Sequence, residues 1–125
     1  MKDDTLYLIH ISESIDKIES YMTGLDFASF VENTMVQDAV LRNLQVLAES
    51  SQRLSNDFKN QHPEIEWYKI AGLRNILVHD YLGIDFETIW GVASSRLSEL
   101  KVVILRALKE HSPPILLKKD GQLQG

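Results

Sequence analysis

The sequence contains no cysteine, which excludes disulfide bonds, thiolate nucleophiles and zinc sites built on cysteine. Glycine and proline are also scarce, with six and three in 125 residues, too few for an all-β chain rich in turns. No apolar run approaches the roughly 18 residues of a membrane span, and the first residues lack the pattern of a secretory signal. We therefore expect a helical cytoplasmic protein with no membrane contact.

Basic residues are outnumbered, because 13 Lys and Arg stand against 18 Asp and Glu and give a net charge of −5. The field of the whole molecule would therefore repel a nucleic acid, and any contact with RNA must come from a local cluster. The length suits a single domain. We place that helical domain at residues 1–112 and a C-terminal tail at residues 113–125.

Apolar residues recur at spacings of three and four along most of the chain, which is the period of helices with one buried face. The first stripe follows Asp4 and Thr5, which can cap a helix, and stops at Gly24. A short helix or turn opens at Asp26, and a longer helix begins at Thr34 and ends at the polar QHPE segment. The apolar positions of the two long helices are Leu8, Ile11, Ile15, Ile18 and Met22, then Val36, Val40, Leu44, Leu47, Leu54 and Phe58.

Two further helices are predicted in the second half. Pro63 marks the start of one that runs from Glu64 to about Val78. Asp85 is the expected N-cap of the last helix, which ends at Ser112 before two prolines. The predicted fold class is all-α, an up-and-down four-helix bundle with room for an extra short helix. Expected inward residues are Trp67, Ile70, Ala71 and Leu77, then Phe86, Ile89, Ala93, Leu97, Leu100, Ile104 and Leu108.

A polar cluster interrupts the apolar run LRNILVHDYLG: Arg74, Asn75, His79, Asp80 and Tyr81 fall within eight residues. In a helix that turns about 100° per residue, Asn75 and His79 share a face, as do Arg74 and Tyr81. Arg74 and His79 are about 140° apart, so a straight helix does not aim both at one atom. The long arginine side chain, a helix end near His79, or a second copy of the site would let them converge.

Two interpretations of this cluster remain open from the residues alone. If the groups converge, a guanidinium that binds phosphate and an imidazole that moves a proton are suited to phosphodiester chemistry without metal. Alternatively, the cluster is a capping or core network, with Arg74 paired to Glu64, Glu66 or Asp80. Glu49 is either a helix-face residue or a partner of Arg74.

The segment RNILVHDY resembles the RxxxxHxY signature of HEPN domains, and the flanking EIEWYKIAGLRN, LGIDFETIW and LRNLQVLAESSQRL resemble HepT-like toxins. The resemblance covers roughly residues 5–115. It implies a toxin of a toxin–antitoxin pair, a metal-independent endoribonuclease that acts as a homodimer on RNA without a cofactor. It also implies a partner, a minimal nucleotidyltransferase that serves as antitoxin.

The same resemblance assigns roles to four residues. Arg74 and His79 would be the catalytic pair, Asn75 a positioning residue in the cleft, and Tyr81 both a cleft residue and the acceptor of AMP from the partner. The rival hypothesis is a noncatalytic HEPN module that binds nucleotides or forms the helical half of a nucleotidyltransferase pair. A catalytic toxin should be hard to express alone, whereas a binding module should be harmless.

Other candidate sites are weaker. The four histidines are scattered and form no HxxxH or HExxH pattern, so we expect no metal site, although Val78-His79-Asp80 resembles the paired ligands of HD-type metal phosphohydrolases. Exposed aromatic residues could stack on bases and basic residues could reach RNA phosphates, with core packing and plain solvation as the alternatives. These candidates are Trp67, Tyr68 and Trp90, and Arg42, Arg53, Lys59 and Lys69.

Overall fold

The computed structural model describes residues 3–79 and 85–111, with the backbone alone at residues 76–79 and 111. Every regular element among these residues is helical. A π-helical turn at Val92–Arg96 links the last two helices without a break. The helices are α1 (Thr5–Met22), α2 (Phe27–Glu32), α3 (Thr34–Arg53), α4 (Asn56–Gln61), α5 (Trp67–His79), α6 (Phe86–Gly91) and α7 (Leu97–His111).

The core confirms the predicted all-α bundle. α1 packs against both α3 and α7, and α3 packs in turn against α5. The start of α1 lies beside the end of α3, because Asp4 bonds to Ser55, so these two helices run antiparallel. The first predicted stripe is buried as expected, and each fully buried Leu or Ile side chain contributes about 1.5–3 kcal/mol. Buried residues at the centre include Leu8, Ile11, Ile15, Ile18, Val40, Leu44, Leu47, Ile89, Leu97, Leu100 and Ile104.

Polar side chains cap four of the helices, where each accepts a hydrogen bond from a backbone N–H three residues further on. Asp26 accepts from the N–H of Ser29 at 2.8 Å, and Asp85 accepts from the N–H of Thr88 at 3.2 Å, so both predicted helix starts are confirmed. Asn33 begins α3 and Ser55 begins α4 in the same way. Such caps satisfy N–H groups that have no partner inside the helix.

Asp4 does not cap α1, although it occupies the N-cap position. Its carboxylate instead accepts hydrogen bonds from the backbone N–H and the hydroxyl of Ser55, at 2.8 and 2.7 Å. Asp3 instead provides an acceptor at the start of α1, since its Oδ1 accepts from the N–H of Thr5 at 2.9 Å. The predicted stop of α1 is confirmed at Gly24, whose φ of +76° is one that glycine adopts without strain.

The long second helix predicted from Thr34 through Phe58 is wrong, because the structure divides it into α3 and α4. Leu54 and Ser55 adopt extended backbone between the two helices, with ψ values of 146° and 154°. Leu54 and Phe58 are nevertheless both buried, at 2% and 3% exposure. The apolar stripe therefore continues across the break, so its period could not indicate the division.

The predicted start of the third helix at Glu64 is also wrong, because α5 begins at Trp67. Pro63 lies in a turn, closed by a hydrogen bond from the N–H of Ile65 to the carbonyl of His62 at 3.2 Å. The indole N–H of Trp67 donates to the same carbonyl at 3.0 Å. This turn sets the point from which α5 enters the bundle, and so the position of every residue that α5 carries.

An aromatic cluster attaches α2 to α6. Phe30 is fully buried and packs against Phe86 and Trp90, with ring centroids 6.1 and 5.5 Å away. Gln37 of α3 donates from Nε2 to the carbonyls of Phe30 and Val31, at 2.9 and 2.7 Å. These bonds hold α3 against the end of α2, where the carbonyl of Phe30 also accepts from the N–H of Asn33. Among the described helices, none has the length and apolar character to cross a membrane.

Candidate functional site

The polar cluster lies at the C-terminal end of the described part of α5. Arg74, Asn75 and His79 all belong to this helix, so one rigid element determines their relative backbone positions. The side chain of His79 is not described, and Asp80 and Tyr81 lie outside the described residues. The structure therefore gives side-chain geometry for Arg74 and Asn75, both of which are exposed.

Arg74 reaches across to α3, where its Nη1 donates a hydrogen bond to Oε1 of Gln52 at 3.0 Å. This contact joins residues 22 positions apart. Gln52 is itself exposed, on the last turn of α3. Sequence reasoning did not select Gln52, and the only signal was a polar residue within the segment LRNLQVLAESSQRL. The partner of Arg74 in the described structure is thus a neutral amide.

Two of the carboxylates proposed as partners of Arg74 bind other groups, and the third, Asp80, lies outside the described residues. Glu64 lies 3.7 Å from His62, and Glu66 lies 3.2 Å from Lys69. The hydrogen bond from Lys69 holds the pKa of the Glu66 carboxyl below its usual value, and a second hydrogen bond from a tyrosine hydroxyl acts in the same direction. Within residues 3–79 and 85–111, no carboxylate lies within ion-pair distance of Arg74.

Glu49 is a helix-face residue in this structure, which answers a question that the sequence left open. Its Oε1 accepts a hydrogen bond from Nε2 of Gln45, one turn earlier on α3, at 3.4 Å. Glu49 and Gln52 are three positions apart on the same helix, yet the guanidinium of Arg74 bonds to the amide and not to the acid. Arg74 therefore keeps its positive charge without a bound counter-charge among the described groups.

The side chain of Asn75 is exposed and makes no hydrogen bond within the described part of the chain. It follows Arg74 directly and precedes His79 by one helical turn, so Asn75 and His79 lie on one face of α5. An amide with free donors and a free acceptor can position either a phosphate oxygen or a hydroxyl group.

The three aromatic candidates differ in exposure. Trp67 packs against Phe58 at 6.0 Å between ring centroids and donates its indole N–H to the backbone, and Trp90 packs against Phe30. Both tryptophans are therefore partly buried and pack against the core. Tyr68 is 71% exposed, and its hydroxyl donates to Glu66 at 3.0 Å. Of these three rings, Tyr68 is the one with a face open for stacking.

The basic candidates for RNA contact differ in their exposure and in their ion pairs. Arg42 and Arg53 are exposed on α3, and Arg53 occupies its last turn, where a cation interacts favourably with the helix dipole. Lys69 pairs with Glu66, and Lys59 is half-buried in α4. Arg53 directly follows Gln52 and is thus the candidate nearest in sequence to the Arg74 contact.

A large groove lies between α5 and the segment formed by α6, the π-helical turn and α7. Its volume is about 760 Å³, and Arg74 and Asn75 do not line it. Its floor is apolar, and its rim carries four glutamates but two cations, Lys69 and Arg96. Neither of the predicted site residues with a described side chain therefore lies in the groove. The glutamates are Glu64, Glu66, Glu87 and Glu99.

Metal ligands do not assemble in the part of the chain that the structure describes. There, no three His, Asp or Glu side chains come together in a group that could hold a metal ion. The chemistry of the exposed cluster is that of a cation with amides beside it, on the helix whose last described residue is a histidine.

The fold and this helix define a small all-α bundle with an arginine and a histidine five residues apart on one helix. The family model for HepT-like ribonucleases matches residues 11–107, which include α3, α5 and most of α7. The chain therefore belongs to the HepT-like ribonuclease family, within the HEPN superfamily, and the family predicted from the sequence is confirmed.

Curated relatives agree with this family. A candidate RNase of Methanocaldococcus jannaschii is 33% identical over 100 residues, covering 80% of this chain and 92% of the relative. A protein of Thermococcus cleftensis with the name "Probable ribonuclease HepT" is 37% identical over 95 residues, covering 76% and 86%. A candidate RNase of Caldanaerobacter subterraneus is 28% identical over 110 residues, covering 88% and 98%. No solved structure gives a significant match.

Proposed function

We propose that this chain is the ribonuclease toxin of a toxin–antitoxin pair and cleaves RNA without a metal, using Arg74 and His79. The observation that carries the proposal is the state of Arg74: it is exposed, it is held by the neutral Gln52, and no described carboxylate neutralises it. Family membership and the names of the relatives support the same activity.

The proposed reaction transfers a phosphoryl group within the RNA strand, from the 5′-oxygen of one nucleotide to the 2′-oxygen of its neighbour. The ribose 2′-oxygen loses its proton to a base and attacks the neighbouring phosphorus. The bond from phosphorus to the 5′-oxygen then breaks, and that oxygen takes a proton from an acid. The products are a 2′,3′-cyclic phosphate and a 5′-hydroxyl, so atoms and charge balance without a metal. The imidazole of His79 suits the proton transfers, and the guanidinium of Arg74 suits the extra negative charge on the phosphorane.

A homodimer follows from this chemistry, because one imidazole cannot conveniently serve as base and acid on opposite sides of one phosphorus. Two chains would supply two copies of His79, with the two segments 74–81 in one cleft. The exposed side of α5 supports such an arrangement. Tyr68 is 71% exposed, and Arg74 and Asn75 are exposed as well, so a second chain has room to approach.

The proposed antitoxin is a minimal nucleotidyltransferase that transfers AMP to Tyr81. The phenol oxygen would attack the α-phosphorus of ATP, pyrophosphate would leave, and the phenol would lose its proton. The attached AMP adds a phosphate two residues beyond His79, and it would compete with RNA for Arg74. This step rests on the resemblance and on the position of Tyr81 in the sequence, since Tyr81 lies outside the described residues.

The central test is cleavage of a single-stranded RNA by purified protein in EDTA. We expect cleavage to persist in EDTA, to leave cyclic phosphate ends, and to stop when the ribose at the cut is replaced by 2′-deoxyribose. His79→Ala should lower the rate about 10²–10⁴-fold. His10→Ala is the matched control, because His10 lies on α1 and packs against Tyr7. Cleavage that requires a metal and accepts deoxy substrates would contradict the proposal and favour HD-type chemistry.

Two further measurements test assembly and silencing. Sedimentation at micromolar concentration should give a dimer, and a monomer that cleaves RNA at full rate would overturn the two-chain mechanism. Intact mass spectrometry after co-expression with the partner should show added AMP that is absent from Tyr81→Phe. A silenced protein with no added mass would mean inhibition by complex formation alone.

The alternative is a noncatalytic HEPN module that binds nucleotides or assembles with a nucleotidyltransferase. The groove beside α5 is large enough for a nucleotide, but four glutamates against two cations give its rim a net negative charge that disfavours phosphates. The ribonuclease proposal is therefore better supported. Expression separates the two, because a binding module would not impair growth of the host cell and an active toxin would.

A further inference from the structure

The orientation of the Gln52 amide follows from the chemistry of its partner. A guanidinium carries five N–H donors and no acceptor, so only the carbonyl oxygen of an amide can bond to it. The contact from Arg74 Nη1 to Gln52 Oε1 at 3.0 Å has this arrangement. The Nε2 group of Gln52 is then directed away from Arg74, and it has no acceptor in the described part of the chain.

Arg74 and Gln52 together present mainly donors, since the one acceptor site that remains is the second lone pair of Gln52 Oε1. After their mutual bond, the guanidinium keeps four N–H groups and the amide keeps two. Both side chains are exposed, so these donors can reach a ligand. A ligand that fits them must offer several acceptor oxygens, and the non-bridging oxygens of a phosphodiester meet that description.

We propose that Gln52 is a substrate-binding residue that donates from Nε2 to an RNA phosphate beside Arg74. The inference rests on the proposed ribonuclease function and adds a contact from α3 to a site otherwise built on α5. In this role Gln52 does more than position the guanidinium of Arg74, because its own N–H groups also contact the substrate.

The neutrality of Gln52 is essential to this role. A carboxylate at position 52 would bond to Arg74 equally well, but it would cancel the charge that attracts the phosphate and would offer no N–H group. The acid nearest in the same helix, Glu49, accepts from Gln45 at 3.4 Å. The α3 surface thus places an amide at the arginine and holds its acid one turn away.

The test compares three variants in a His79→Ala background, where a fluorescent single-stranded RNA binds but is not cut. Gln52→Ala removes the donor and should weaken binding about tenfold, as expected for loss of a hydrogen bond to a charged group. Gln52→Glu keeps the contact with Arg74 but offsets the positive charge of the guanidinium. It should therefore weaken binding more than Gln52→Ala does. Thr34→Glu adds the same charge at the first residue of α3, which is exposed, and should change binding by less than about twofold, because a charge so far from Gln52 is screened.

Salt dependence separates substrate contact from a merely structural role. The logarithm of the binding constant falls with the logarithm of salt concentration by about 0.7 per phosphate contact on a single strand. Gln52→Glu should lower this slope by about 0.7, because Arg74 no longer engages a phosphate. Gln52→Ala should leave the slope unchanged while it weakens binding, because it removes a neutral donor. Thermal unfolding should match the parent protein in both variants, since the contact is exposed.

The outcomes distinguish this inference from the proposed function. If both Gln52 variants bind RNA like the Thr34→Glu control, the inference is overturned, whether or not the parent protein cleaves RNA. If the parent protein with His79 intact binds RNA through Gln52 but leaves it uncut, the inference stands and the ribonuclease proposal fails. If the protein does not bind RNA at all, both are overturned.

Discussion

Replacing Asp4 should destabilise the bundle, because its carboxylate joins two distant parts of the chain. The carboxylate accepts from the backbone N–H of Ser55 at 2.8 Å and from its hydroxyl at 2.7 Å, 51 positions along the sequence. The same hydroxyl oxygen accepts from the N–H of Phe58 at 3.1 Å and so caps α4. One acid therefore holds the start of α1 against the junction of α3 and α4.

The size of the effect can be estimated from these bonds. A hydrogen bond to a charged group contributes about 1.5–3 kcal/mol, and the lower end applies here because both partners are only partly buried. Asp4→Ala loses both bonds and leaves the N–H of Ser55 without its acceptor, so we expect a loss of about 2–3 kcal/mol in unfolding free energy. In a domain of this size, that loss corresponds to a fall in melting temperature of about 6–12 °C.

The assay is thermal unfolding followed by circular dichroism, together with urea unfolding for the free energy. Asp38→Ala is the matched control, since it removes an exposed acid on α3 that makes no such contact, and it should melt within about 2 °C of the parent. Asp4→Asn keeps one acceptor oxygen and should fall between the two. The reasoning is refuted if Asp4→Ala melts with the Asp38→Ala control, because the bonds to Ser55 would then contribute nothing.

Three other predictions concern the core, the pH dependence and the site. Phe30→Ala should cost about 3–5 kcal/mol in urea unfolding, because Phe30 is fully buried in the aromatic cluster. Hydrogen bonds from the hydroxyl and the N–H of Thr88 lower the pKa of Asp85, so its contribution is present above its ordinary pKa of about 4 and is lost as the pH falls through the lowered value. Asp85→Asn should therefore differ from the parent in melting temperature at pH 6 by more than it does at pH 3. Arg74→Ala should lower RNA cleavage about 10²–10⁴-fold. It should lower the melting temperature by no more than about 2 °C, because Arg74 is exposed. Arg106→Ala, which removes an exposed arginine on α7, is the control and should change neither quantity.

Features that depend on neighbouring residues were predictable from the sequence. The stripe of α1 is buried as its period predicts, and Asp26 and Asp85 cap helices because an N-cap interacts with a backbone N–H only three residues away. The positions of Arg74, Asn75 and His79 on one helix follow from the same local pattern. The roles assigned to them, and to Tyr81, stay predictions, as does the domain boundary at residue 112.

The helix boundaries that were wrong depend on contacts from distant parts of the chain. The break at Ser55 is stabilised by Asp4, which lies 51 positions earlier, while the buried Leu54 and Phe58 preserve an uninterrupted apolar pattern. The start of α5 was placed too early because Pro63 is also typical of a first helical turn. There the carbonyl of His62 is bonded to Ile65 and Trp67, and these bonds close a turn before the helix begins.

The partner of Arg74 was unpredictable for the same reason, and it changes the electrostatic argument about the site. In a chain with more acidic than basic residues, an arginine on a helix would be expected to find a carboxylate, and the sequence offered four candidates: Glu49, Glu64, Glu66 and Asp80. The packing of α5 against α3 instead brings Arg74 to an amide, while Glu66 is bound by Lys69. A neutral partner holds the guanidinium in one orientation without offsetting its charge. An acidic protein can therefore present a local cation to an RNA phosphate, because the sign of the field at contact distance is set by the nearest groups and not by the net charge.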